Sequence, residues 1–126
     1  MATIGPTWTA AADVIASGTI SSGATKTGSV DLATGGYDLA KLQLAITDSG
    51  SASVTVNLYG SNDGGTTVDA TPLMSFETDG SGTQDTRTIP VMGHSWAQVE
   101  VINNDGSNAT GTVHVTEQRR QWSDGV

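Results

Sequence analysis

The sequence predicts an all-β domain: an antiparallel two-sheet β-sandwich, jelly-roll or Ig-like, with an extended N-terminal arm. Three observations carry that expectation. Val54, Val56 and Leu58 alternate with Thr55, Asn57 and Tyr59, the period-two pattern of a strand with one buried face. Clusters such as Ser61-Asn62-Asp63-Gly64-Gly65 and Asn103-Asn104-Asp105-Gly106 punctuate the chain, and these residue types tolerate the backbone angles of tight turns. No segment of ordinary helix length is amphipathic, and aromatics make up only 5% of a chain rich in Thr, Ser, Gly and Val.

Residues 1–16 lack the period-two pattern and hold Gly5-Pro6, Trp8 and an Ala-rich stretch. They are expected as an arm, with a short helical turn over Thr9–Ile15. The sandwich is expected over 17–126. Gly18–Ser21 reads as a short strand, and the segment from Thr27 places Val30 and Leu32 on one face. Breaks are expected at Ala33-Thr34-Gly35-Gly36 and from Asp48 to Ser51. Leu39–Thr47 turns Leu42, Leu44 and Ile46 inward and Lys41, Gln43 and Thr47 outward. With Ser53–Tyr59 it is expected to form a hairpin. Thr71–Thr78 begins at Pro72, whose missing N–H suits a strand start or a sheet edge. A loop is expected over Asp79–Thr83, then a short strand stopped by Pro90. Ala97, Val99 and Val101 share one face, as do Val113 and Val115, and Gln118–Trp122 extends the last strand or forms a tail. Short strands with turns between them amount to roughly eight strands in two packed sheets.

At 126 residues the chain makes one domain. It has no cysteine, so neither a disulfide nor a thiolate metal site is available. Five Lys and Arg stand against thirteen Asp and Glu, a net charge of −8. Phosphate neutralisation needs a basic patch, so nucleic acid is excluded as an expected partner, and an anionic membrane surface likewise. No apolar run approaches the ~20 residues of a membrane-spanning helix. The N-terminus lacks the basic and apolar regions of a secretory signal, so any exit from the cell is expected by another route.

Candidate chemistry is sparse. His94 sits next to Ser95, but neighbouring strand residues point to opposite faces, which argues against a nucleophile–base pair. His114, between Val113 and Val115, is expected to face outward. The Asn/Asp turns offer oxygen ligands of the kind Ca²⁺ prefers, yet they lack the spaced acids of a calcium loop, and turn chemistry explains them. No catalytic residue, metal site or cofactor is therefore assigned, and the chain is expected not to be an enzyme. Outward aromatics point to protein–protein contact or, as the alternative, to a sugar-stacking platform. The interface candidates are Trp8, Arg119, Arg120 and Trp122, since Trp and Arg are enriched at interaction hot spots.

The stretches Gly18–Thr25, Gly28-Ser29-Val30-Asp31-Leu32 and Leu58–Thr67, with Val99–Asp105 followed by Thr112–Val115, together resemble small β-sandwich structural proteins of tailed bacteriophage virions. The likeness covers most of the chain after Ser17. It implies a capsid decoration or cement protein that binds the major capsid protein lattice, forms a homo-oligomer (dimer or trimer) and uses its arm on neighbouring subunits. It further implies synthesis in the host cytoplasm and release in the virion by lysis. A neck or tail-associated virion protein, or a carbohydrate-binding β-sandwich module, is the alternative.

Overall fold

The computed structural model describes residues 4–34, 37–47, 53–78, 84–91 and 94–124. These residues form nine strands and no helix: β1 (Ile4–Trp8), β2 (Ala12–Gly18), β3 (Thr25–Asp31), β4 (Leu39–Thr47), β5 (Val54–Ser61), β6 (Met74–Thr78), β7 (Gln84–Val91), β8 (Trp96–Asn103) and β9 (Val113–Asp124). One sheet runs β1-β9-β4-β7 with β2 also on β9, and the other runs β3-β8-β5-β6. All pairings are antiparallel.

β1 and β2 follow one another along the same flank of β9, because β4 takes the other. They behave as one edge strand broken at Thr9–Ala11 and by register shifts after Asp13 and Ile15. Thr9 bridges the main break: its N–H donates to Arg119 O at 2.9 Å and its Oγ1 accepts from Arg119 N at 2.9 Å. Counted so, the strands fall alternately in the first and second sheets, with only β5 and β6 adjacent in sequence and in the same sheet. That winding is the double-sheet jelly roll rather than the immunoglobulin arrangement.

Several local expectations change. In place of the helical turn over Thr9–Ile15 stand the break at Thr9–Ala11 and the start of β2, and the expected boundary after residue 16 falls inside β2. The segment is extended, but its described part belongs to the sheet. Leu39–Thr47 and Ser53–Tyr59 are not a hairpin, since β4 lies in the first sheet and β5 in the second. Gly18–Ser21 is no strand beyond Gly18. There Ile20 N donates to Thr110 Oγ1 at 2.8 Å, and Thr110 N donates to Ile20 O at 2.9 Å. Pro90 does not stop its strand. It lies within β7, opposite Lys41 at the edge of the first sheet, where a missing donor disturbs no ladder. The break expected at Ala33-Thr34-Gly35-Gly36 begins as a turn at Ala33-Thr34 after β3, and its remainder and the breaks expected at 48–51 and 79–83 lie outside the described residues.

The core is the space between the sheets. Leu42, Leu44 and Ile46 of β4 and Val113 and Val115 of β9 meet Val54, Val56 and Leu58 of β5 and Ala97, Val99 and Val101 of β8, all buried. Each large aliphatic side chain removed from water contributes roughly 1.5–3 kcal/mol, so this alternation specifies which face of each strand turns inward.

Candidate functional site

The ladder of the first sheet sets which outward side chains become neighbours. In an antiparallel pair, residues directly opposite share a face. Arg120 of β9 lies opposite Trp8 of β1 and Leu39 of β4, and Lys41 lies opposite Gln118. Trp8, Lys41 and Arg120 therefore meet although they are remote in sequence. Lys41 Nζ stands 4.0 Å from the Trp8 ring centroid, and Arg120 Cζ is 6.0 Å from it, within the range of cation–π attraction. Trp8 remains 38% exposed.

Arg120 is fixed from its other side. Its Nε donates to Asp38 Oδ1 at 3.1 Å and its Nη2 to Asp38 Oδ2 at 2.9 Å, a forked pair. The carboxylate strengthens Arg120's hold on its proton. Beside Lys41 the outward face of β4, β7 and β9 dips into a shallow depression of about 100 Å³. Lys41, Gln43, Thr88, Thr116 and Gln118 line it, together with Ala11 from the break between β1 and β2.

Arg119 is not part of this surface. As the neighbour of Arg120 on one strand it points to the opposite face, into the end of the sandwich. Its guanidinium lies 4.5 Å from the Tyr37 ring and its Nη1 donates to Asp31 O at 3.3 Å. Its Nε stands 3.4 Å from Glu117 Oε1 without the alignment of a hydrogen bond. Glu117 is 11% exposed at the side chain, its Oε2 has no partner, and burial pushes its carboxyl above the ordinary glutamate value against the pull of Arg119. Trp122 lies opposite Pro6 in the β1–β9 ladder. Of the four interface candidates, then, Trp8 and Arg120 share a face and Arg119 is separated from them. Lys41 is the member that sequence reading misses: alternation turns it outward, but nothing in the linear chain puts β4 next to β9.

The other candidates have local roles. His114 Nε2 and Asp13 Oδ1 are 2.7 Å apart and tie β2 to β9 across the outward face. The His94 ring packs where a side chain on Gly60 would stand, and its Nδ1 is buried without a hydrogen bond. The turn carboxylates are occupied by their own loops. Asp63 Oδ1 accepts from Thr67 N at 2.8 Å and from Ser61 Oγ at 2.9 Å, and Asp105 Oδ1 accepts from Ser107 N at 2.7 Å and Asn108 N at 2.9 Å. No group of three or more metal-ligating side chains gathers among the described residues. On the outward face of the second sheet, Glu100 Oε1 accepts from Asn57 Nδ2 at 3.0 Å and Tyr59 Oη at 3.3 Å. Burial and that carboxylate push the Tyr59 hydroxyl above its usual value.

No family model and no curated protein sequence matches this chain. Among solved structures it is similar to the Yersinia pseudotuberculosis-derived mitogen, at 14% identity and a TM-score of 0.48 over 94% of this chain and 88% of that one. Likeness at that level carries nothing about function.

Proposed function

We propose that this chain is a structural protein of a tailed-bacteriophage virion, of the capsid decoration or cement type. It binds the major capsid protein lattice and stabilises the head through protein–protein contacts. The observation that carries the reading is the outward face of the first sheet. An exposed tryptophan held between two cations is the composition of an interaction hot spot, and it lies on a rigid sheet rather than a loop. The strand-and-turn resemblance to virion sandwiches points the same way. The jelly roll hosts many functions and adds no weight by itself.

The test is to add the purified protein to capsids assembled without it, then follow co-sedimentation and resistance of the heads to heat. Saturable binding at a fixed ratio to the major capsid protein, with raised heat resistance, is expected. Failure to bind heads, with binding to isolated tails or necks, would move the chain to the neck or tail.

The carbohydrate alternative has one specific observation in its favour, the Tyr59–Asn57–Glu100 cluster on the second sheet. An aromatic face beside fixed amide and carboxylate groups is sugar-binding chemistry. A glycan array with wild type and Tyr59→Ala decides it: binding that Tyr59→Ala abolishes supports the module, and silence dismisses it.

A further inference from the structure

The surface around Trp8 has a sign opposite to that of the molecule. The chain carries −8 overall and only five basic residues, yet two of these, Lys41 and Arg120, flank one exposed ring. Asp38 neutralises Arg120. Lys41 pairs with no carboxylate among the described residues, so the patch keeps a positive centre. The depression beside Lys41 is rich in hydrogen-bond donors, from the amides of Gln43 and Gln118 and the hydroxyls of Thr88 and Thr116. Gln118 Nε2 already donates one hydrogen bond to Thr9 O at 3.1 Å, which orients its side chain. Glu117 also borders the depression, but it shares the inward parity of Val113 and Val115 and its side chain is 11% exposed.

We propose that this face docks an acidic segment of a partner protein, with a partner Asp or Glu carboxylate seated in the depression beside Lys41 and apolar atoms of the segment against Trp8. The inference rests on the virion reading for the place where the partner is found, and it adds the partner's chemistry. A carboxylate there gains an ion pair with Lys41 and amide and hydroxyl donors from the lining of the depression. A second copy docking by the same face is disfavoured, because a two-fold contact would set Lys41 and Arg120 against their own equivalents.

Binding of wild type, Lys41→Glu, Lys41→Arg and Trp8→Ala to capsids lacking the protein tests this at several NaCl concentrations. Lys41→Glu and Trp8→Ala are expected to weaken binding at least about tenfold, with unchanged circular dichroism and melting. Lys41→Arg is expected to bind nearly as wild type. Wild-type affinity is expected to fall as salt rises, and that dependence to shrink in Lys41→Glu. Variants that bind capsids as wild type does would overturn this surface while leaving the virion reading intact. If wild type binds no capsid, the capsid-decoration reading fails and the surface is judged by itself, by NMR titration with hexaglutamate against hexalysine. Shifts at Trp8, Lys41 and Gln43 with hexaglutamate alone would uphold the acidic-segment site. Shifts elsewhere or none, or an oligomeric state altered by Lys41→Glu, would overturn it.

Discussion

Asn103 shows how much one buried amide holds. It is 1% exposed, and its Nδ2 donates to Ile20 O at 3.1 Å, Ser21 O at 3.2 Å and Asn108 O at 2.9 Å, while Oδ1 accepts from Asp105 N at 3.0 Å. It thus closes the end of the sandwich where β2 leads to β3 and β8 leads to β9. Asn103→Ala strands those carbonyls and an N–H, so a loss of roughly 2–3 kcal/mol is expected in urea unfolding; a loss within error of zero would mean that water replaces the amide. Glu117 makes the opposite kind of contribution. Its folded carboxyl sits above the unfolded value because of burial, so the native state binds that proton more tightly. The Glu117 contribution is therefore most favourable below the ordinary glutamate pKa and is lost as pH rises through that value to the raised one. Glu117→Gln is expected to unfold at higher urea than wild type at neutral pH and to converge with it in acid. Asp31 and Asp63 titrate the other way, held below the usual aspartate value chiefly by the Thr34 hydroxyl and the Thr67 N–H respectively. Their contribution is present above the ordinary aspartate value and fades as pH falls through the lowered one.

At the scale of elements, what was legible is the parity of each strand. Val54, Val56 and Leu58, then Leu42, Leu44 and Ile46, then Ala97, Val99 and Val101 all point inward as their alternation requires. Asn103 continues that last parity and is buried with it, a signal hidden by its place in a turn-forming cluster. What was not legible is which strand lies beside which, because alternation reports a face and not a neighbour. That is why β4 and β5 read as a hairpin, and why proximity in the chain groups Arg119 with Arg120, its neighbour, but not Lys41 with either. The same ignorance covered β2, whose Ala12, Asp13 and Ala16 are exposed as expected of an edge. One residue joins the sheets at that edge. A Cβ on Gly28 of β3 would run into Val14 O of β2 and stand 2.7 Å from Val14 Cγ1. Gly28 faces inward opposite buried Val99, so any side chain wedges β2 away from β3. Gly28→Ala is expected to cost about 1–3 kcal/mol by overpacking, against the gain that Gly→Ala gives in an open strand. Unfolding at an unchanged or higher urea midpoint would show that β2 is free to give way.

The whole molecule is an acidic jelly roll whose strands pair almost entirely with distant partners. With a net charge of −8 and exposed pairs such as Arg120–Asp38, screening relieves more repulsion than attraction. Melting is therefore expected to rise with NaCl at neutral pH, and a fall would show that local pairs outweigh the global charge. Topology governs the folding rate in the same way that charge governs its salt response. β9 must find β1 and β2 at the other end of the chain as well as β4, and β8 must find β3 and β5. Among described strands only β5 and β6 are partners across a single connection, and even that closes through the loop where Asp69 N donates to Gly60 O at 3.0 Å and Leu73 N to Leu58 O at 2.7 Å. Each remaining pairing closes a long loop before any contact rewards it, so the entropic cost comes first. Without cysteines nothing covalent shortens those loops. Refolding from urea is accordingly expected on the order of milliseconds to seconds, at the slow end for a domain of this size. The β5–β6 hairpin and its β8 neighbour supply the most local nucleus. Val56→Ala and Val99→Ala should then slow folding more than Val113→Ala does at matched loss of stability. Stopped-flow fluorescence of Trp96 and Trp8 measures this, and equal slowing by all of them would mean that the sandwich condenses as a whole.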